Sequence, residues 1–173
     1  NALQGVWGTS GTDVFAVGDA GTILRYDGTT WTAMTSGTNA SLRGVWGTST
    51  ADVFAAGDGG TVLRWDGTHW TKMAVQTTRG FVAVWGTSRA DVFAVGESGA
   101  LWHYDGMTWT AMTSGTGCSL QAIWGTSSTN VFGWACGVHR YDGSTWSYTS
   151  GGPTQSAYGL WGAELGRRSD EVL

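Results

Sequence analysis

Short apolar runs of about five residues alternate with turn residues along the whole chain. Residues 3–7 are apolar-rich and end at Gly8-Thr9-Ser10-Gly11-Thr12; residues 13–17 end at Gly18-Asp19-Ala20-Gly21. Residues 22–26 end at Asp27-Gly28, and residues 30–34 at Thr35-Ser36-Gly37-Thr38. The runs are rich in β-branched and aromatic types and bounded by turn formers, which is the strand signature. No stretch holds a helical period over the roughly 11 residues a helix needs. The pattern predicts strands near 3–8, 13–18, 22–26 and 30–35 and almost no helix. Asp-Gly between two apolar runs predicts a tight hairpin with positive φ at both residues. Asp13, Asp52, Asp91 and Asn130 open the second run of each set, where their side chains are expected to bond nearby backbone amides.

The set of four runs then repeats. The tetrad Trp-Gly-Thr-Ser starts at Trp7, Trp46, Trp85 and Trp124, a constant spacing of 39 residues, and a degraded start follows at Trp161-Gly162. A fixed period near 40 marks a propeller, solenoid or array. Strands A to C of each unit are apolar on both faces, as in Val6 beside Trp7, Val14 beside Phe15 and Ile23 beside Leu24. Such a sheet must be sandwiched, and a blade between two blades meets that demand. The predicted fold is therefore all-β: one β-propeller domain over 1–173, built of four-stranded antiparallel blades. Four full blades span about 3–41, 42–80, 81–119 and 120–157, and the start of a fifth spans 158–173. Each tetrad tryptophan is expected to be mostly buried.

Composition narrows the class. Only 13% of the residues are charged while Gly numbers 29 and Trp 12, which argues against disorder. With a net charge of −4 and nine scattered Lys/Arg, no basic face for nucleic acid is expected. No apolar run approaches the roughly 18 residues of a membrane span. No signal peptide precedes the first repeat, so the chain reads as a mature or excised piece.

The unit Trp-Gly-Thr-Ser-x-x-Asp-Val-Phe-Ala-Val-Gly-x-x-Gly-x-Ile/Val-Leu, followed by Tyr/Trp-Asp-Gly-x-x-Trp, resembles bacterial propeller repeats of the Asp-box, sialidase-type kind. It is especially similar to those of the photosystem II assembly and stability factor family. The Asp-box pattern is Ser-x-Asp-x-Gly-x-Thr-Trp; Tyr26-Asp27-Gly28-Thr29-Thr30-Trp31 is one residue tighter. The resemblance implies a structural turn between strands C and D at Asp27, Asp66, Asp105 and Asp142.

Candidate chemistry is sparse. Arg25, Arg64 and Arg140 occupy equivalent positions, with His103 in the remaining copy, reminiscent of an arginine clamp around a carboxylate. Equivalent positions on different blades point away around a ring, so these side chains cannot converge, and no enzyme is expected. His69, His103 and His139 fall at three different repeat positions, which gives no metal-ligand spacing. No metal or other cofactor is expected. Asp19, Asp58 and Glu97 recur in the B–C turn and suit either cations and hydroxyls or plain hairpin turns. The repeat-locked tryptophans read as filling between blades. Trp65, Trp102 and Trp134 break the pattern and are the tryptophan candidates for ligand contact. Cys118 lies in the connection from the third to the fourth blade and Cys136 in the fourth B–C turn, which is two residues short. These two segments emerge on one face of a meander, so the pair can meet as a disulfide, which would imply an oxidising, extracytoplasmic setting (secreted or periplasmic). The other reading is two free thiols.

The function expected is a non-catalytic recognition or scaffolding propeller that binds a protein or glycan on one face. The alternative is a multivalent lectin with repeated pockets between blades; a glycosidase-like enzyme is a distant third. Residues 158–162 supply another strand A with no complete blade to join. Either a rudimentary fifth blade closes a small ring or the open blade ends dock onto another copy; the second is the expectation, because one or two strands would leave neighbouring Phe15- and Trp31-type residues uncovered.

Overall fold

A computed structural model of the chain describes residues 1–149. Residues 150–173, which contain the expected partial fifth blade, lie outside them. The chain forms four four-stranded antiparallel sheets, each a meander in sequence order. The first blade comprises β1 (Leu3–Ser10), β2 (Asp13–Gly18), β3 (Ile23–Tyr26) and β4 (Trp31–Met34). The second comprises β5 (Leu42–Ser49), β6 (Asp52–Gly57), β7 (Thr61–Trp65) and β8 (Trp70–Lys72). The third comprises β9 (Phe81–Ser88), β10 (Asp91–Gly96), β11 (Leu101–Tyr104) and β12 (Trp109–Ala111). The fourth comprises β13 (Ala122–Ser127), β14 (Asn130–Trp134), β15 (Val138–Tyr141) and β16 (Trp146–Thr149). The helical content among the described residues is three three-residue 3-10 turns, each in a B–C connection. These are propeller blades, with the A strands β1, β5, β9 and β13 side by side at the inner edge.

Register explains why both faces of a blade are apolar. Trp7 pairs with Phe15 and Val17 with Ile23, so these side chains share the forward face, toward the next blade. Val6 pairs with Ala16 and Val14 with Tyr26 on the rear face. Phe15, Val17 and Ile23 of the first blade pack on Leu42, Val45, Val53, Leu63 and Trp65 of the second. Phe54 and Val62 meet Phe81, Val84, Val92 and Tyr104 in the same way, as do Phe93 and Leu101 with Leu120, Ile123 and Val131. The tetrad tryptophans are mostly buried, as expected, though none is fully so. Trp7, Trp46 and Trp85 each reach across the inner edge to the tetrad glycine of the next blade. A β-carbon on Gly47 would stand 2.8 Å from Cη2 of Trp7, one on Gly86 2.9 Å from Trp46, and one on Gly125 2.6 Å from Trp85. The repeated Trp-Gly pair is thus one contact between blades, the ring from one side and the empty space from the other.

Two turn expectations are corrected. In the Asp-Gly turns only the glycine takes positive φ, +98° at Gly28 and +99° at Gly143. The aspartate works through its carboxylate instead. Asp66 accepts from the amides of Thr68 and His69, both at 2.8 Å, and Asp142 from those of Ser144 and Thr145, both at 2.8 Å. The second correction concerns the aspartates that open strand B. They bond side chains of strands C and A rather than backbone amides: Asp13 accepts from Arg25 Nε at 2.8 Å, and Asp52 from Arg64 Nε at 2.9 Å and Thr48 Oγ1 at 2.7 Å.

The C–D turns make a testable contribution to acid stability. The His69 amide first, then the Thr68 hydroxyl and amide, hold Asp66 down at about 2 from an ordinary 3.8. The Thr145 amide, followed by the Ser144 amide and hydroxyl, hold Asp142 at about 2. Asp27 and Asp105 are lowered by the same kind of bonds, led by the amides of Thr30 and Thr108. A carboxylate depressed in the folded state stabilises fully above its unfolded pKa, and the contribution is lost as pH falls through the folded value. Urea midpoints should therefore fall between pH 4 and pH 2. The Asp66→Asn/Asp142→Asn double variant should show a shallower fall; an unchanged slope would refute the assignment.

Candidate functional site

The B–C turns and the D–A connections emerge at one end of the blades, and the chain ties them together there. Asp19, Asp58 and Glu97 donate their backbone amides to the carbonyls of Ala2, Ser41 and Gly80, each at 2.9 Å. This places the three acidic residues on successive blades around one rim. Their turns require left-handed backbone, with φ of +52° at Ala20 and +70° at Gly21.

Below the rim the A strands line an axial cleft of about 450 Å³. Gln4, Arg43, Val82 and Gln121 occupy one repeat position in its wall, and Val6, Val45, Val84 and Ile123 another. Gly5, Gly44, Ala83 and Ala122 keep the wall between them shallow. The rim acids orient the polar wall. Asp58 accepts from Arg43 Nε at 2.6 Å and Nη2 at 3.2 Å, which raises the guanidinium pKa further and fixes its plane. Asp19 accepts from Gln4 Nε2 at 3.3 Å, while Glu97 turns back to the Gly80 amide at 2.9 Å. The Arg43–Asp58 pair stands in solvent, with side chains 42% and 39% exposed, so it positions more than it stabilises. The cleft therefore offers amide and guanidinium groups beside an apolar wall. That chemistry suits an extended polypeptide, whose carbonyls and carboxylates meet the polar positions and whose side chains meet the valines.

The remaining sequence candidates lie elsewhere. Cys118 and Cys136 are joined by a disulfide with a Cα–Cα distance of 5.8 Å, which ties the last D–A connection to the shortened B–C turn at the rim end. Trp65 is buried between the first two blades; its Nε1 donates to Thr50 O at 3.1 Å and its ring lies 5.7 Å from Trp70. With Trp70, His69, Met34 and Gly37 it edges an outer pocket of about 470 Å³. Trp102 is half-buried and lines a separate pocket of about 250 Å³ with Arg79, Leu101 and Met112. Trp134 is only 3% exposed and borders none of these spaces. The three tryptophans do not converge. Arg25, Arg64 and Arg140 do not converge either: each bonds Asp13, Asp52 or Asn130 of its own blade, and His103 bonds Asp91 at 2.7 Å. Among the described residues no group of three His, Cys, Asp or Glu is placed to hold a metal ion, and no helix is long and apolar enough to cross a membrane.

Gln4, Arg43 and Gln121 are not among the residues that the sequence singles out. Their signal is variation. Within nearly identical copies, the position three before the tetrad tryptophan reads Gln, Arg, Val, Gln. In the structure that position lines the axial cleft.

Neither the protein-family models nor the curated proteins match this chain. Solved structures do. A YCF48 structure bound to a D1 peptide matches with a TM-score of 0.66 at 14% identity, over 84% of this chain and 53% of that one. YCF48 from Cyanidioschyzon merolae matches with a TM-score of 0.66 at 17% identity, over 84% and 55%. At this identity the likeness is one of fold. The chain spans about half the length of the solved structures it matches.

Proposed function

We propose that this chain is a non-catalytic recognition propeller whose axial cleft takes an extended segment of a partner protein at the B–C and D–A end. The observation that carries the reading is the pairing of variable polar positions, Gln4, Arg43 and Gln121, with a repeated apolar wall in a cleft open to solvent. A structure of like fold was solved with a peptide bound, which supports a peptide as the ligand class. The tight Asp-Gly-x-x-Trp turns support an origin in Asp-box-like repeats and kinship with the photosystem II assembly and stability factor propellers. Arginines engaged within their own blades support a binding role over glycosidase chemistry. The Cys118–Cys136 bond supports an extracytoplasmic working place.

A lectin reading rests on one observation, the outer pocket where Trp65 and Trp70 stand beside Thr68 and His69. The two readings separate in one experiment. Peptides selected from a random display library on the immobilised protein should lose binding at least ten-fold on Arg43→Glu and keep it on Trp70→Ala. The exposed ion pair contributes about 0–1 kcal/mol, so Arg43→Glu should stay folded. Glycan-array signal abolished by Trp70→Ala, with no peptide enriched, would replace this reading with the lectin one.

A further inference from the structure

At each interface between described blades, a methionine at the end of strand D packs into the same core cluster as the tryptophan that opens strand D of the next blade. Met34 is grouped with Trp70, Met73 with Trp109 and Met112 with Trp146. Between the second and third blades the pair is bonded: Trp109 Nε1 donates to Met73 Sδ at 3.5 Å, across 36 residues of sequence. Met34 and Trp70 are the same distance apart in sequence, yet the Trp70 indole N–H finds no acceptor among the described residues. A buried donor left unpaired is destabilising. The surrounding protein closes that nitrogen to solvent, so a free ligand cannot reach it while the blades stay together. An acceptor can come only from an atom that a neighbouring side chain carries. Met34 is such a neighbour. It is half-buried and borders, with Trp65, His69 and Trp70, the outer pocket of about 470 Å³.

We propose that Met34 is a site of reversible oxidation whose sulfoxide oxygen bonds the indole N–H of Trp70. The oxidant is hydrogen peroxide, which the outer pocket admits to the thioether. A sulfur lone pair attacks one peroxide oxygen; the S–O bond forms as the O–O bond breaks, and the other oxygen leaves as water. Sulfur gives up two electrons and the peroxide takes them. A thioether is a weak acceptor, whereas a sulfoxide is polar and in most cores disrupts packing. Here it meets a donor that lacks a partner, and the three rotatable bonds of methionine let the oxygen swing from the pocket to the indole. Met73 is the contrasting copy. One of its lone pairs already accepts from Trp109, which makes the sulfur less nucleophilic, and an added oxygen would wedge apart two atoms already in contact. Met107, 86% exposed in a C–D turn, is the unshielded reference. The extracytoplasmic setting that the Cys118–Cys136 bond supports is one where such oxidants are met. The site is separate from the axial cleft, so it stands or falls without the peptide reading.

Limiting hydrogen peroxide on the folded full chain, followed by peptide mapping by mass, tests the site. Met107 should gain oxygen first, Met34 next, and Met73 several-fold more slowly than Met34. In protein carrying isotopically labelled tryptophan, the indole proton resonance of Trp70 should shift downfield as Met34 is oxidised. It should not move in Met34→Leu, a nearly volume-conserving change. The two methionine sulfoxide reductases, one for each epimer, should together restore both the mass and the resonance. In a Met107→Leu background, the urea midpoint should hold on oxidation. It should fall on oxidation when Trp70→Phe is added, since that change keeps an aromatic ring and removes the donor. If Trp70→Phe fails to fold, the resonance shift and its absence in Met34→Leu decide the matter. Met34 oxidised no faster than Met73, a Trp70 resonance that stays in place, a modification that the reductases do not reverse, or a midpoint that falls as far with the indole as without it would each overturn the proposal.

Discussion

Replacing Phe54 with alanine should destabilise the protein by about 3–5 kcal/mol, the usual cost of truncating a fully buried phenylalanine. Phe54 has no exposed surface, and its ring centroid lies 6.2 Å from Trp46 of its own blade and 6.1 Å from Tyr104 of the next. The cavity would open between the second and third blades, whose apolar faces have no other cover. Rigid sheets on both sides limit collapse into the space, so the transfer and cavity costs add. Phe15→Ala and Phe93→Ala should cost similar amounts at their own interfaces. Phe132→Ala, at the half-buried fourth copy, should cost clearly less. Urea denaturation of the four variants gives the ranking, and equal losses at all four positions would contradict the interface account. In a repeat array a weakened interface can also let blades unfold separately. A broadened transition for Phe54→Ala would report that.

Replacing both cysteines with serine should lower stability by roughly 3 kcal/mol in the chain-entropy account of an 18-residue separation. The bond joins the D–A connection before the fourth blade to the B–C turn within it, so the loss should concentrate there. Hydrogen exchange should accelerate most in β13 to β15, while β5 to β8 keep their protection. The urea midpoint of the wild-type chain should fall by a similar amount under reducing conditions, with no such response in the double variant. Equal midpoints with and without reductant would show that the crosslink carries no stability.

The local chain dictated most of the fold. Short apolar runs of about five residues bounded by turn formers fix strands, a 39-residue period fixes near-identical units, and two apolar faces per unit demand neighbours on both sides. These are properties of covalent order and short-range backbone preference, which is why strand positions and the four meanders could be read from sequence. The turns were legible only as turns. Asp66 and Asp142 look like two-residue hairpin signals, yet their carboxylates bind amides two and three residues onward, a choice set by bonds that form once strands C and D are in place.

Only tertiary structure decided what each repeated side chain faces. Trp31 and Trp109 stand at the same repeat position, and the sequence gives no means to tell them apart; one is 49% exposed and the other 8%, because a preceding blade covers the second and not the first. The same holds for the candidate site. Arg43, Gln4 and Gln121 lie on separate blades, and they share one cleft because side-by-side A strands bring a single repeat position to a common wall. Trp65, Trp102 and Trp134 depart from the repeat but stay apart, since they sit on strands B and C at different interfaces. The sequence by itself determined the blade; the stacking of blades determined which faces are core, which edge is a cleft and which end is open, because burial depends on neighbours that a strand's own residues do not specify.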